Sequence, residues 1–261
     1  MTISILDSWA KRVGTAAIMS LSLTACAGND RDPTDGIHDP YETRNRALHG
    51  FNKGLDTAIV RPVARGYSAV LPDPIEDSVS NFAENFGQPA NVVNSLLQAD
   101  FRGAGISFSR FFFNSTIGIG GLLDPATEMA IPEHDTDFGE TLYVWGVGEG
   151  AYAEAPLLGP TTTRRSVGRI VDLFTNPLGD ALPEPERYSG TLANVGARLT
   201  DRSRFSNTID SVLYDSADSY SQSRLIYLQS RRFELGDRSD DSSLDPYSDP
   251  YGDPYEDPYA E

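Results

Sequence analysis

One cysteine, three histidines and two lysines among 261 residues leave little material for several kinds of chemistry. A single Cys, Cys26, excludes a disulfide framework and any multi-cysteine zinc or iron–sulfur site. His38, His49 and His134 fall in separate segments, and no H-E-x-x-H pair is present. Glu133-His134-Asp135 with Asp137 can be drawn as a metal cluster, but it follows Pro132 in a polar stretch that reads as a solvated loop. Gly146-Val147-Gly148-Glu149-Gly150 lacks the spacing of a nucleotide loop and is followed by no Walker lysine. No G-x-S-x-G elbow marks a hydrolase. A net charge of −17 offers no basic footprint for nucleic acid. The reading is therefore of a protein without catalytic residues, cofactor or metal, and not an enzyme.

Long apolar runs are also missing. Uncharged stretches cover Val13–Asn29, Asn85–Ala99 and Phe111–Leu123, of 17, 15 and 13 residues. Each falls short of the roughly 20 apolar residues that cross a bilayer as a helix. The first belongs to a targeting segment. Lys11 and Arg12 precede an apolar stretch centred on Ala16–Leu23, and Leu23-Thr24-Ala25-Cys26 has the form of a bacterial lipobox. Residues 1–25 then read as a lipoprotein signal peptide, with Cys26 as the acylated first residue of the mature chain. The alternative is an ordinary secretory signal cleaved after Ala25. More than one acyl chain gives stable anchoring, at roughly 0.8 kcal/mol per buried CH₂.

Residues 26–38 read as a polar tether, and residues 236–261 as a disordered tail. In the tail, Asp-Pro-Tyr recurs every four residues from Asp245 to Tyr259. Proline at that spacing forbids a helix and disfavours paired strands. The spacing also differs from the alternating acids and central Gly of a calcium loop, so a solvated acidic tail is preferred to a calcium binder.

Between these ends, residues 39–235 show helical periodicity and little period-two alternation, which predicts an all-α body. Asp39-Pro40, Asp73-Pro74 and Asp124-Pro125 have the form of helix starts, as does the Thr-rich stretch Thr161–Thr163. Gly87-Gln88-Pro89 is expected to break the chain. Apolar stripes include Ala104, Phe108, Phe111 and Phe112, then Val167, Ile170, Val171 and Phe174, and later Tyr188, Leu192, Val195 and Leu199. Phe111-Phe112-Phe113 followed by Gly118, Gly120 and Gly121 fits two readings: a helix that enters a membrane partway and turns, or a core helix ending in a glycine cap. Arg61, Arg65, Arg102 and Arg110 are candidate phosphate contacts or surface ion pairs.

Blocks of residues in order give a more specific signal. They include Asp39-Pro40-Tyr41-Glu42 with Asn45-Arg46, Phe51-Asn52, Arg61-Pro62-Val63-Ala64, Val79-Ser80-Asn81-Phe82 and Val93-Asn94. Arg110-Phe111-Phe112 with Asn114, Gly118-Ile119-Gly120-Gly121, Phe138-Gly139-Glu140-Thr141-Leu142 and Pro156-Leu157-Leu158-Gly159-Pro160 continue the series. Together they resemble the MlaA/VacJ outer-membrane lipoproteins from about Asp39 to Gly179. Glu140 stands where that family has Gln, and Ala151 where it has Pro.

The resemblance implies a ring-like bundle of amphipathic helices embedded in the inner leaflet of the outer membrane. It implies extraction of misplaced phospholipid from the outer leaflet through an amphipathic channel to a periplasmic carrier of the MlaC type, keeping the membrane asymmetric. It also implies association with trimeric porins and a lipid-anchored position on the periplasmic side of the outer membrane. Phe51 and Asn52 match a motif the family uses near its channel. Gly118, Gly120, Gly121 and Leu122 match its flexible hairpin, with Phe111 and Phe112 beside it. The alternatives are an envelope lipoprotein that binds porins without lipid traffic, and a phospholipase for which no nucleophile and base are apparent.

Overall fold

The structure, a computed structural model, describes residues 36–178 and 182–236. The signal peptide, Cys26, most of the tether and the Asp-Pro-Tyr tail lie outside the described residues.

Helices make up most of the described chain, as the periodicity predicts. The first, α1 (Glu42–Leu55), runs through a π-helical stretch at Asp56–Val60 into α2 (Arg61–Val70). Asp39 does not cap α1, which starts after Tyr41 without a side-chain cap. The Asp39 carboxylate instead accepts from Asn45 Nδ2 at 2.8 Å, Arg224 Nη1 at 2.9 Å and the Tyr220 hydroxyl. Three tertiary donors thus take the place of one local one. Helix α2 stops at Leu71, whose extended backbone suits a residue before proline.

The central element is α3 (Asp73–Leu97), a helix of 25 residues with Pro74 in its first turn. The expected break at Gly87-Gln88-Pro89 does not occur, and Pro89 lies inside the helix. Interior proline removes one backbone bond and costs about 3 kcal/mol. Here α3 is packed by α4 (Phe101–Thr116) and α8 (Ser189–Arg204), and those contacts outweigh the local preference. Helix α4 is capped by Asp100, which accepts from the Gly103 backbone N–H at 2.9 Å.

Asp124 caps the single turn α5 (Pro125–Glu128), and Asp137 caps α6 (Phe138–Val144). A hairpin follows that the sequence pattern does not reveal: β1 (Tyr152–Ala155) pairs antiparallel with β2 (Gly159–Thr162), Tyr152 opposite Thr162. With four residues each, these strands are too short to show clear alternation. Thr162 caps α7 (Thr163–Thr175), which packs on α6. After α8 come α9 (Ser206–Asp210), a second π-helical stretch at Ser211–Asp215, and α10 (Ser219–Glu234) capped by Asp218.

Helices α3 and α8 run antiparallel in close contact, with Gly190 against Phe86 and Gly196 against Val79. A side chain at Gly190 would strike the Phe86 ring, so glycine sets the approach of the two helices there. Aromatic packing is concentrated elsewhere, where Ile37, Tyr152, Tyr220 and Leu228 form a buried cluster joined by Tyr227. Among the described residues, no helix is long and apolar enough to cross a membrane.

Candidate functional site

Helix α4 has two faces, and their burial is the reverse of a water-soluble helix. Phe101, Phe108 and Phe112 lie along one stripe and are 75%, 58% and 50% exposed. Gly103, Ser107, Arg110 and Asn114 lie along the opposite stripe and are buried. The two sets have matching helical spacing, so both are true faces. The neighbouring helix follows suit. On α3, Asn85, Gln88, Asn94 and Ser95 are buried, whereas Ile75, Leu96 and Leu97 are exposed.

The buried polar atoms are tied together. Arg110, 2% exposed, donates to Asp124 at 2.8 Å and to the Ile131 carbonyl at 2.8 Å. Asn114 donates to the second Asp124 oxygen at 2.8 Å. Burial pushes the Asp124 carboxyl up, but hydrogen bonds from Thr127 and Asn114 and the Arg110 charge together hold it below the usual carboxylate range. Gln98 donates to Thr136 at 2.7 Å and Thr141 at 3.0 Å, joining α3 to α6.

The turn after α4 continues the apolar surface. Ile117, Ile119, Leu122 and Leu123 are all exposed. Backbone bonds close this turn, from Gly120 N–H to the Ser115 carbonyl at 3.0 Å and from Gly121 N–H to the Asn114 carbonyl at 2.8 Å. Gly121 has φ +95°, and a Cβ there would come within 2.6 Å of the Asn85 side chain. Only glycine meets both conditions. Of the candidate residues, Phe112, Gly120 and Leu122 lie exposed on this surface, Phe111 is half-buried, and Gly118 and Gly121 are buried.

Phe51 and Asn52 sit apart from that turn, on α1. Phe51 is exposed. Asn52 donates to Glu154 at 3.1 Å and to the Ala155 carbonyl at 3.0 Å, and accepts from Leu157 N–H at 2.9 Å. It clips the β-hairpin to α1. The four candidate arginines separate. Arg61 pairs with Asp210, Arg65 lies 3.7 Å from the same carboxylate, and Arg110 is the buried anchor described above. Arg102 is exposed beside Phe101.

The Glu133–Asp137 loop is used structurally. His134 Nε2 lies 3.1 Å from Ser95 Oγ, and Asp137 pairs with Arg165 at 2.6 Å and Arg231 at 2.8 Å. No group of three His, Cys, Asp or Glu among the described residues could hold a metal ion.

Helix α8 repeats the reversed pattern. Gly190, Gly196, Thr200 and Arg202 are buried, while Tyr188, Leu192 and Val195 of the apolar stripe are exposed. Arg202 binds Asp56 through two bonds of 2.8 and 2.7 Å and Asp210 at 2.7 Å. This interior ion-pair network joins residues 146 positions apart, and no local spacing announces it.

These features define a class: a largely helical protein in which α3, α4 and α8 bury polar side chains and expose large apolar ones, and in which no described helix is long and apolar enough to cross a membrane. A family model described as MlaA lipoprotein matches residues 37–234, and the chain belongs to that family. The intermembrane phospholipid transport system lipoprotein MlaA of Escherichia coli strain K12 is 34% identical over 229 residues, covering 85% of this chain and 88% of the relative. The protein of the same name from Haemophilus influenzae is 30% identical over 234 residues, covering 87% and 91%. A solved structure described as "Structural basis for maintenance of bacterial outer membrane lipid asymmetry" superposes with a TM-score of 0.65 at 33% identity. That match covers 76% of this chain and 98% of the other.

Proposed function

We propose that this lipoprotein moves phospholipid out of the outer leaflet of the outer membrane and so maintains lipid asymmetry. The observation that carries the reading is the reversal on α4, with Phe101, Phe108 and Phe112 outward and Ser107, Arg110 and Asn114 inward. An apolar belt of this kind is stable where lipid replaces water around it, at about 1.5–3 kcal/mol per large side chain. With no helix able to cross the bilayer among the described residues, the belt sits in one leaflet. A polar interior then offers a headgroup a path that apolar surroundings would deny it.

Cys26 carries the acyl anchor, and residues 1–25 are removed. The lipid passes on to a soluble carrier of the MlaC type, and trimeric porins cover part of the belt. Phe111, Phe112 and the Gly118–Leu122 turn form the membrane-inserted edge of the path, and Phe51 and Asn52 lie at its α1 wall. The protein acts without covalent chemistry.

Deleting the gene is expected to raise the phosphatidylethanolamine that a membrane-impermeant amine reagent labels on intact cells. Wild-type protein restores the low level and Cys26→Ala does not. Equal labelling with and without the gene overturns the function.

A further inference from the structure

The two π-helical stretches meet. Tyr214, in the second, donates to Asp56 at 2.7 Å and lies 3.0 Å from Thr57 Oγ1, both in the first. Lys53 Nζ stands 5.4 Å from the centre of the Tyr214 ring, and the Arg61 guanidinium 4.9 Å from it. Arg61 pairs with Asp210, and Arg65, 60% exposed, reaches the same carboxylate at 3.7 Å. Arg202 ties Asp210 to Asp56. The contacts of this cluster join four cations and two carboxylates, in a chain whose net charge is −17. π turns are rare and gather at functional sites.

Around the cluster, α1 and α2 are organised in rows. Every fourth residue returns to the same side, because the wider π stretch at Asp56–Val60 takes up the excess over a turn of roughly 3.6. Asp56 and Ala64 lie on the inner row and are buried. Gly50, Gly54, Ala58, Pro62 and Gly66 form the outermost row, and all are exposed. Lys53, Arg61 and Arg65 border that row on one side. Phe51, Ile59 and Val63, all exposed, border it on the other. A Cβ at Gly50, Gly54 or Gly66 would meet nothing within 4 Å, and none of the three has a positive φ. Inside a helix, glycine is less favourable than any residue but proline. Neither backbone geometry nor internal packing asks for it at these positions, so the row is kept low for something that approaches from outside. That visitor meets, in order, cations, small residues and apolar side chains. A phospholipid lying across the row presents phosphate, glycerol and acyl chain in the same order.

We propose that the exposed face of α1 and α2 binds an anionic phospholipid, with its phosphate at Lys53 and Arg65 and its acyl chains along Phe51, Ile59 and Val63. The site goes beyond the transport function: it holds lipid against the outer wall and does not require that lipid to move. Arg61, paired with Asp210 and set over the Tyr214 ring, fixes the cluster in place. Lys53 and Arg65 supply charge-assisted hydrogen bonds to the phosphate. The surplus of positive charge selects a headgroup with net negative charge over a zwitterionic one.

The test compares lipids that differ in net charge. Full-length acylated protein in dodecyl maltoside is titrated with dilauroylphosphatidylglycerol and with dilauroylphosphatidylethanolamine, and bound lipid is counted by native mass spectrometry. Wild type is expected to prefer phosphatidylglycerol about fivefold or more, the order set by one cation beside a headgroup. Lys53→Gln with Arg65→Gln should bring the ratio close to one. Arg44→Gln, which removes an exposed cation near the start of α1, should leave it unchanged. Gly54→Leu should lower phosphatidylglycerol binding by filling the row, and Gly54→Ala should raise the urea midpoint. A wild type without preference, a ratio unchanged in the double variant, or an equal loss in Arg44→Gln overturns the site. None of these touches the transport function, which the labelling of intact cells tests separately. A urea midpoint lowered by Gly54→Ala would mean that the glycine serves the fold, and overturns the row as a contact face. Competition by inorganic phosphate at the lipid's concentration would assign the cluster to free phosphate. Loss of a copurifying protein in Gly54→Leu, with the lipid ratio unchanged, would assign the face to a protein. Either result overturns the lipid assignment.

Discussion

Two regions of the molecule use similar residues in opposite arrangements. Around Tyr152, apolar bodies point inward: its ring meets those of Tyr220 and Tyr227 edge to face at 6.0 and 6.4 Å, and Leu228 is buried beside them. Two of the polar ends are satisfied, the Tyr152 hydroxyl donating to Glu154 at 2.8 Å and the Tyr220 hydroxyl to Asp39. Along α3 and α4, amides, hydroxyls and Arg110 take much of the interior beside Ala83, Phe86 and Ala104, and Phe101, Phe108 and Phe112 take the surface. The first region gains its stability from burial within the chain. The second holds its shape through directional hydrogen bonds and, on the proposed function, gains from burial against lipid. On the proposed function, lipid contact falls to the region whose outer surface depends on its surroundings.

The largest expected effects set the two interiors against each other. Arg110→Ala strips Asp124 of its buried charge partner and leaves the Ile131 carbonyl unmatched, at a cost of about 3–5 kcal/mol. Leu228→Ala, the matching lesion in the aromatic cluster, leaves a cavity and costs about 2–4 kcal/mol. Urea unfolding of both variants in one detergent measures the difference. Arg110→Met restores the volume without the charge and should remain far below wild type. Full recovery by Met would mean that packing, not the polar network, holds the second region.

A smaller effect separates the two surfaces. Phe108→Arg puts a charge on the outward face of α4, where the side chain is 58% exposed. In detergent the fold should change by no more than about 0.5 kcal/mol, the usual range for a surface site. Binding to outer-membrane vesicles, measured by flotation in a Cys26→Ala background, should weaken by up to about 2.5–3.5 kcal/mol, the cost of Arg at the bilayer centre. Ser230→Arg on exposed α10 is the control and should float as before. Equal loss in both variants would remove the distinction between lipid-facing and water-facing surfaces.

Periodicity identified the stripes Phe108–Phe112 and Leu192–Val195, because a 3.6-residue period is a property of the helix alone. It could not say which stripe faces inward, since that depends on the surrounding medium. The start signals at Asp124-Pro125 and Thr161–Thr163 were readable because their caps bond within three residues. Asp39 and Pro89 misled for the converse reason, their roles being decided by α10 and by α4 and α8. The ordered motif blocks brought out the family, which no single block would have done. Arg202 and Asp56 lie far apart in sequence, and only the tertiary structure brings them together.

The mildest prediction concerns Glu140, where the family resemblance leads one to expect Gln. It lies on α6 at the junction with α3, half-buried, and accepts from Thr136 at 2.9 Å. Burial pushes its carboxyl above the usual range, and the Thr136 hydrogen bond only partly opposes this. A raised value in the folded state means that folding favours the protonated form. Its stabilising contribution is then full below the unfolded value, about 4.3, and is lost as pH rises through the higher folded value. Glu140→Gln keeps the acceptor and removes the charge, so the variant should be more stable than wild type at pH 7, by less than about 1 kcal/mol. The gain should shrink toward zero as the pH is lowered through 4, where Glu140 is protonated in both states. Urea midpoints at pH 7 and pH 4 measure it. A gain of equal size at both pH values would locate the effect in packing. The polar interior would then tolerate a buried carboxylate at no cost, which the arrangement around Arg110 and Asp124 argues against.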